Sequence, residues 1–127
     1  MKNLNIMIVD DSAIMIMTLT RMFADMGHTV VATAKTGEEA ISRYSVFKPD
    51  LVTMDITMPN LNGIYAVKGI IQADPNALIV MVTSQGQEQL VIDSISSGAK
   101  GYILKPLSTE RFNETIENII QRYYTNK

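Results

Sequence analysis

Four short apolar runs in this chain each hand over to a residue that can do chemistry: "IMIV" to Asp10-Asp11, "LVTM" to Asp55, "LIVMV" to Thr83-Ser84, and "YIL" to Lys105-Pro106. If the runs are parallel strands, all four polar ends lie at the carboxyl edge of one sheet, where open α/β sheets bind their ligands. The edge would then carry three carboxylates, an ammonium and a hydroxyl. That set suits a divalent cation together with phosphoryl transfer onto an aspartate. Asp10 and Asp11 would open a helix whose dipole favours negative charge. Asp55 would end a neighbouring strand, and carboxylates packed so closely repel one another. A hard cation with oxygen ligands relieves the repulsion, and Mg2+ with several retained waters fits best. Taken alone, Asp10 and Asp11 could be no more than helix-capping acids. Asp55, Thr83 and Lys105 at matching strand ends make them read as a site.

The elements that must position these residues are legible from periodicity. Apolar runs over 6–9, 29–34, 51–55, 78–83 and 101–104 alternate with helix-periodic stretches over 13–26, 37–47, 64–74, 87–97 and 109–124. This is the strand–helix alternation of a parallel sheet. The third and fourth runs are almost continuously apolar, as strands covered on both faces are. Met15, Leu19, Met22, Phe23 and Met26 recur at helical spacing, as do Phe112, Ile116, Ile119, Ile120 and Tyr123. Ile92 and Ile95 are the expected inner face of the fourth helix, with Leu90 and Val91 either adding to the core or to a surface. His28, alone at a helix–strand turn, reads as a solvated turn residue.

The chain has 127 residues, of which 46% are hydrophobic, enough for one ordinary domain with a full core. It has no Cys, so disulfides, thiolate metal sites and a Cys nucleophile are excluded. A net charge of −2 without a basic stripe argues against direct nucleic-acid binding. The amino-terminal apolar run is too short for a secretory signal or a membrane span, so a cytoplasmic location is expected. The nine Met residues read mostly as core filler.

Asp10-Asp11, the stretch DITMPNLNG from Asp55 to Gly63, Thr83-Ser84 and Lys105-Pro106 occur in this order on five strand–helix units. In these residues the sequence resembles the receiver domain of two-component response regulators, most of all the stand-alone receivers of chemotaxis. The resemblance covers essentially the whole chain. It implies a flavodoxin-like (βα)5 fold, a doubly wound five-stranded parallel sheet with helices on both faces, in a single receiver domain over 1–127. It implies that Asp55 is the phosphoacceptor, attacking a phosphohistidine on a histidine kinase. Asp11 and Asp55 would ligate Mg2+ directly, Asp10 through water, and the Thr57 backbone carbonyl would complete the protein ligands. Lys105 would pair with a phosphoryl oxygen and steady transition-state charge, aimed by a cis Lys105-Pro106 bond. Thr83 would hydrogen-bond the bound phosphoryl group, and Tyr102 would turn inward as Thr83 moves. The changed surface would be the fourth helix, fifth strand and fifth helix, in a two-state shift. Thr57 and Gln85 would flank the hydrolytic water and set the lifetime of the acyl phosphate.

The implied partners are a histidine kinase, chemotaxis type by preference, a motor or switch protein as target, and a phosphatase. The chain would act as a monomer, with no membrane insertion. Ile14, Ile16 and Met17 lie off the core stripe of the first helix and are either a kinase-docking face or incidental surface. Other readings stay open: a phosphorelay shuttle, a receiver cut from a longer regulator, or, remotely, a Mg2+-dependent phosphatase with Asp55 as nucleophile. Haloacid dehalogenase-type phosphatases place a second Asp two residues on, where this chain has Thr57. A flavodoxin-type cofactor site is disfavoured because the loop after the first strand is anionic and would repel the FMN phosphate.

Overall fold

The computed structural model describes residues 3–59 and 62–124. The alternating pattern becomes β1 (Asn5–Val9), α1 (Ala13–Asp25), β2 (Thr29–Ala34), α2 (Gly37–Phe47) and β3 (Leu51–Asp55). It continues with α3 (Asn62–Ala73), β4 (Ile79–Thr83), α4 (Glu88–Ser96), β5 (Gly101–Leu104) and α5 (Thr109–Tyr124). The sheet is parallel throughout, in the order β2-β1-β3-β4-β5. The chain steps outward from β1 to β2 and then returns to the other side of β1 for β3. That reversal is the topological switch point at which doubly wound sheets place their ligands.

Each strand distributes its side chains between two cores. Met7, Val9, Val52, Met54, Ile79 and Met81 face one layer with Ala40, Tyr44, Ala66, Val67 and Ile70 from α2 and α3. Ile6, Ile8, Leu51, Leu78, Val80 and Ile103 face the other with Leu19 and Phe23 of α1 and Phe112, Ile116, Ile119 and Ile120 of α5. Along β1, β3 and β4 the sides alternate although the runs are almost wholly apolar, because a pleated strand covered on both faces needs hydrophobic side chains in both directions. Phe23 and Phe112 meet edge-to-face with centroids 5.0 Å apart, joining α1 to α5. Such a pair contributes about 0.5–1.5 kcal/mol beyond its burial.

Helix starts follow their caps. Ser12 Oγ accepts from the Met15 N–H at 3.2 Å ahead of α1, and Thr36 Oγ1 from the Glu39 N–H at 3.1 Å ahead of α2. α3 begins two residues before the periodic stretch, at Asn62. A Cβ on Gly63 would lie 2.5 Å from the Asp55 carbonyl oxygen, so only glycine lets the helix start there.

Three expectations are corrected. In α4 the residues packed on the core are Leu90, Val91 and the buried Ser94, whereas Ile92 and Ile95 are 56% and 43% exposed. Ser94 satisfies its hydroxyl on the Leu90 carbonyl at 2.8 Å, so a polar residue occupies the inner face and hydrophobicity points to the wrong one. In α1, Ile16 packs against the second core, leaving Ile14 and Met17 outward at 77% and 66% exposure.

His28 is the third. It is buried, not solvated, and stands edge-to-face with Phe23. Its Nδ1 accepts the Leu4 N–H at 3.1 Å, which makes it the neutral tautomer with the proton on Nε2. Burial lowers its pKa from the ordinary value of 6.5. Folding therefore favours the unprotonated ring. The stability this gives is complete above about pH 6.5 and is lost as pH falls through the folded-state pKa. His28→Leu leaves the Leu4 N–H unpaired and should destabilise by about 1–3 kcal/mol at pH 8. Urea unfolding of both proteins should show that difference narrowing below pH 6.5; a constant difference would remove His28 from the pH response.

Candidate functional site

The fold brings the predicted residues to one edge. β1 and β3 are adjacent and in register, Val9 opposite Met54, so the residues that follow each strand emerge side by side. Asp10 and Asp55 are buried and Asp11 is exposed. One carboxylate oxygen from each of the three lies within 4.8 Å of the others. Asp10 Oδ1 accepts the Ser12 N–H at 2.8 Å. Asp10 Oδ2 is buried and has no protein partner among the described residues.

Asp55 is held through a single oxygen. Its Oδ1 accepts the Thr57 N–H at 3.0 Å and the Thr57 hydroxyl at 2.8 Å, and Lys105 Nζ stands 3.7 Å away. Lys105 arrives from the end of β5, where its own N–H donates to the Thr83 carbonyl at 2.6 Å. The Lys105-Pro106 bond is cis, as the resemblance implies. Thr83 is buried at the end of β4, and its hydroxyl donates to Gln87 Oε1 at 3.0 Å. Gln85 is exposed on the loop that follows.

Tyr102 faces outward and is 54% exposed. It lines a cavity of about 440 Å³ together with Thr83, Gln87, Val91, Ile92 and Leu104. Gln87 was absent from the residues singled out by sequence. Its signal was present in the spacing, because a carboxamide four residues beyond Thr83 and just ahead of a helix can fold back onto the turn.

The electrostatics centre on Asp10. Its pKa is raised from 3.8 to about 6, chiefly by burial, then by the neighbouring charges of Asp55 and Asp11. The Ser12 N–H and Lys105 oppose the shift. A buried oxygen without a partner, within reach of two further carboxylates, is a donor set for a small hard cation and offers nothing for a soft one. Asp10, Asp11 and Asp55 fit Mg2+ on these grounds.

The chain belongs to the response regulator receiver domain family, which it matches over residues 6–117. It is similar to the chemotaxis protein CheY of Thermotoga maritima, 44% identical over 114 residues, covering 90% of this chain and 95% of the relative. CheY of Bacillus subtilis is 45% identical over 115 residues, 91% of this chain and 96% of the relative. Among solved structures, a CheX–CheY–BeF3–Mg2+ complex from Borrelia burgdorferi superposes with a TM-score of 0.85 at 38% identity, covering 91% of this chain and 88% of that one. Receiver domains are phosphorylation-dependent signalling modules of two-component systems, not classical enzymes, and they bind Mg2+ through an acidic pocket. Among the described residues no helix is long and apolar enough to cross a membrane.

Because folded Asp10 keeps its proton to a higher pH than the unfolded chain does, folding takes up a proton between about pH 4 and pH 6. The metal-free protein should therefore lose roughly 1–3 kcal/mol of stability as pH rises across that window. Asp10→Asn should remove this slope and raise metal-free stability at pH 7, while weakening the stabilisation by added Mg2+. Urea midpoints at pH 4.5 and 7, with and without Mg2+, measure all three; an unchanged slope in the variant would mean that Asp10 is not its source.

Proposed function

We propose that the chain is a single-domain, cytoplasmic, monomeric switch of the CheY kind, in which Asp55 takes a phosphoryl group from a histidine kinase. The observation that carries the reading is the convergence of three carboxylates within 4.8 Å, with Lys105 Nζ 3.7 Å from Asp55 Oδ1, at the switch point of the sheet. A carboxylate oxygen of Asp55 attacks phosphorus, the P–N bond to the kinase imidazole breaks, and the imidazole leaves with the electron pair and takes a proton. Asp11, Asp55 and the Thr57 carbonyl would hold Mg2+, with Asp10 acting through water. When bound, the ion supplies neutralisation of charge on the transferring group. Thr57 fixes the carboxylate by two hydrogen bonds to Oδ1, which sets the direction of attack. Lys105 meets the charge that develops on the phosphoryl oxygens.

The acyl phosphate adds nearly two charges and strong acceptors. Thr83 turns toward them, and Tyr102 moves into the space beside it. The face of α4, β5 and α5 then changes. Ile92, Ile95, Tyr102 and Leu104 already expose apolar surface there, which suits an output face meeting a motor or switch protein. Thr57 and Gln85 set how fast the acyl phosphate hydrolyses. The Borrelia relative was captured with beryllofluoride, Mg2+ and CheX, which supports use of the same mimic here and a CheX-like protein as a further partner.

The test is incubation with Mg2+ and acetyl phosphate or beryllofluoride, beside Asp55→Asn. Intact mass should rise by one phosphoryl group with the former, and NMR signals of Thr83 and Tyr102 should shift with either. Both responses should vanish in the variant and without Mg2+. No mass change and no shift in the unaltered protein would end the reading.

Kinase docking is assigned to the outward pair Ile14 and Met17, beside a groove of about 360 Å³ that also includes Arg21, Met22 and Leu107. Met17→Lys should slow phosphotransfer from a chemotaxis histidine kinase about tenfold or more, consistent with loss of a buried apolar contact, and leave the acetyl phosphate rate unchanged. Equal slowing of both reactions would exclude a docking role.

A further inference from the structure

We propose that Gln87 is a positioning residue that holds Thr83 in its resting place and so sets how readily the Asp55 site switches. The inference rests on the proposed roles of Asp55 and Thr83 and adds the group that competes for the Thr83 proton.

The atoms define the competition. The Ser84 N–H can only donate, so the Gln87 atom 2.8 Å from it is the carboxamide oxygen. Thr83 Oγ1 lies 3.0 Å from that same oxygen and must therefore donate to it. A hydroxyl has one proton. Thr83 can give it to Gln87 or to an oxygen of a group on Asp55, and never to both. The only other acceptor near the hydroxyl among the described residues is the Ser84 carbonyl, at 3.4 Å. Since Thr83 is buried, removing the Gln87 oxygen leaves its hydroxyl poorly satisfied in the resting state and raises the energy of that state alone.

The local backbone is arranged for this bond. Gln87 occupies the N-cap position of α4, yet its side chain makes no capping hydrogen bond. It folds back across the turn instead. Gly86, at φ +88, lets the chain double back between Thr83 and Gln87, and Glu88 Oε2 accepts the Gly86 N–H at 3.2 Å. The side chains of the N-cap residue and the first residue of α4 thus close the β4–α4 loop. Gln87 also lines the cavity between Thr83 and Tyr102. Release of Thr83 and entry of Tyr102 therefore pass the same side chain.

The experiment is a beryllofluoride titration of the full chain with Mg2+, read by NMR, using Gln87→Leu, Gln87→Glu, Thr83→Val and the Thr83→Val/Gln87→Leu pair. Gln87→Leu should tighten apparent beryllofluoride affinity roughly 3- to 10-fold, as loss of one neutral hydrogen bond from the resting state alone predicts. Gln87→Glu keeps the acceptor and should give no tightening. With Thr83→Val the effect of Gln87→Leu should disappear. In the protein without beryllofluoride, Gln87→Leu should also speed hydrogen exchange at the Ser84 amide. Unchanged or weaker affinity in Gln87→Leu, equal tightening with and without the Thr83 hydroxyl, or unaltered Ser84 exchange would each overturn the role of Gln87 alone. An unaltered protein that ignores beryllofluoride and Mg2+ would overturn the reading of Asp55, and the switching role of Gln87 with it.

Discussion

Two carboxylates are buried side by side because the strand order reverses at β1 and sets β3 beside it, and the groups around them answer that charge. Asp10 and Asp55 each follow a fully buried stretch of strand, and the β1–β3 ladder fixes their separation. Neither can retreat into water without breaking the ladder. Asp10 responds by holding its proton up to about pH 6, and its second oxygen has no protein partner among the described residues. Asp55 responds through neighbours, with Thr57 donating twice and Lys105 reaching in from β5. A site strained in this way is less stable than an apolar edge would be. That cost is the usual mark of a place kept for binding instead of for folding.

This logic explains what could be read in advance. The strand runs and the polar residues ending them specify the sheet edge, because a parallel sheet has its carboxyl ends together whatever the order of its strands. The sequence therefore exposes Asp10, Asp11, Asp55, Thr83 and Lys105 as neighbours. Side-chain environments within a helix are less legible. Periodicity assigns Ile92 and Ile95 to the core, but Ser94 can be buried because its hydroxyl bonds the helix backbone, and the inner face turns with it. Ile16 looked superficial only by comparison with the stronger stripe beside it. His28 is a lone polar residue at a turn by composition, and its burial follows from a tertiary pairing with Leu4 that no local window contains. Gln87 escaped notice for a related reason, since its partners are set by a turn geometry that depends on Gly86.

The two halves of the edge differ in how they are built. On the β1–β3 side, backbone ladders and buried aspartates leave little freedom. On the β4–β5 side, Thr83 is anchored by one side chain from the next helix, and Tyr102 stands half out of the protein beside an open cavity.

The first turn of α3 rests on the Asp55 carbonyl with no methyl group between them, because residue 63 is glycine. Helix and strand end are thus seated on each other like an anvil on its block. Any backbone displacement at Asp55 would have to carry α3 along, whereas the Ser84–Gln87 turn is closed by side-chain hydrogen bonds from Gln87 and Glu88. If the edge switches as proposed, the molecule is two-faced: the Thr83 flank would report the state of the edge, and the α3 flank would look the same in each state. A protein that must find this chain regardless of its history would do well to grip the α3 flank, leaving the Thr83 flank for those that must tell the difference.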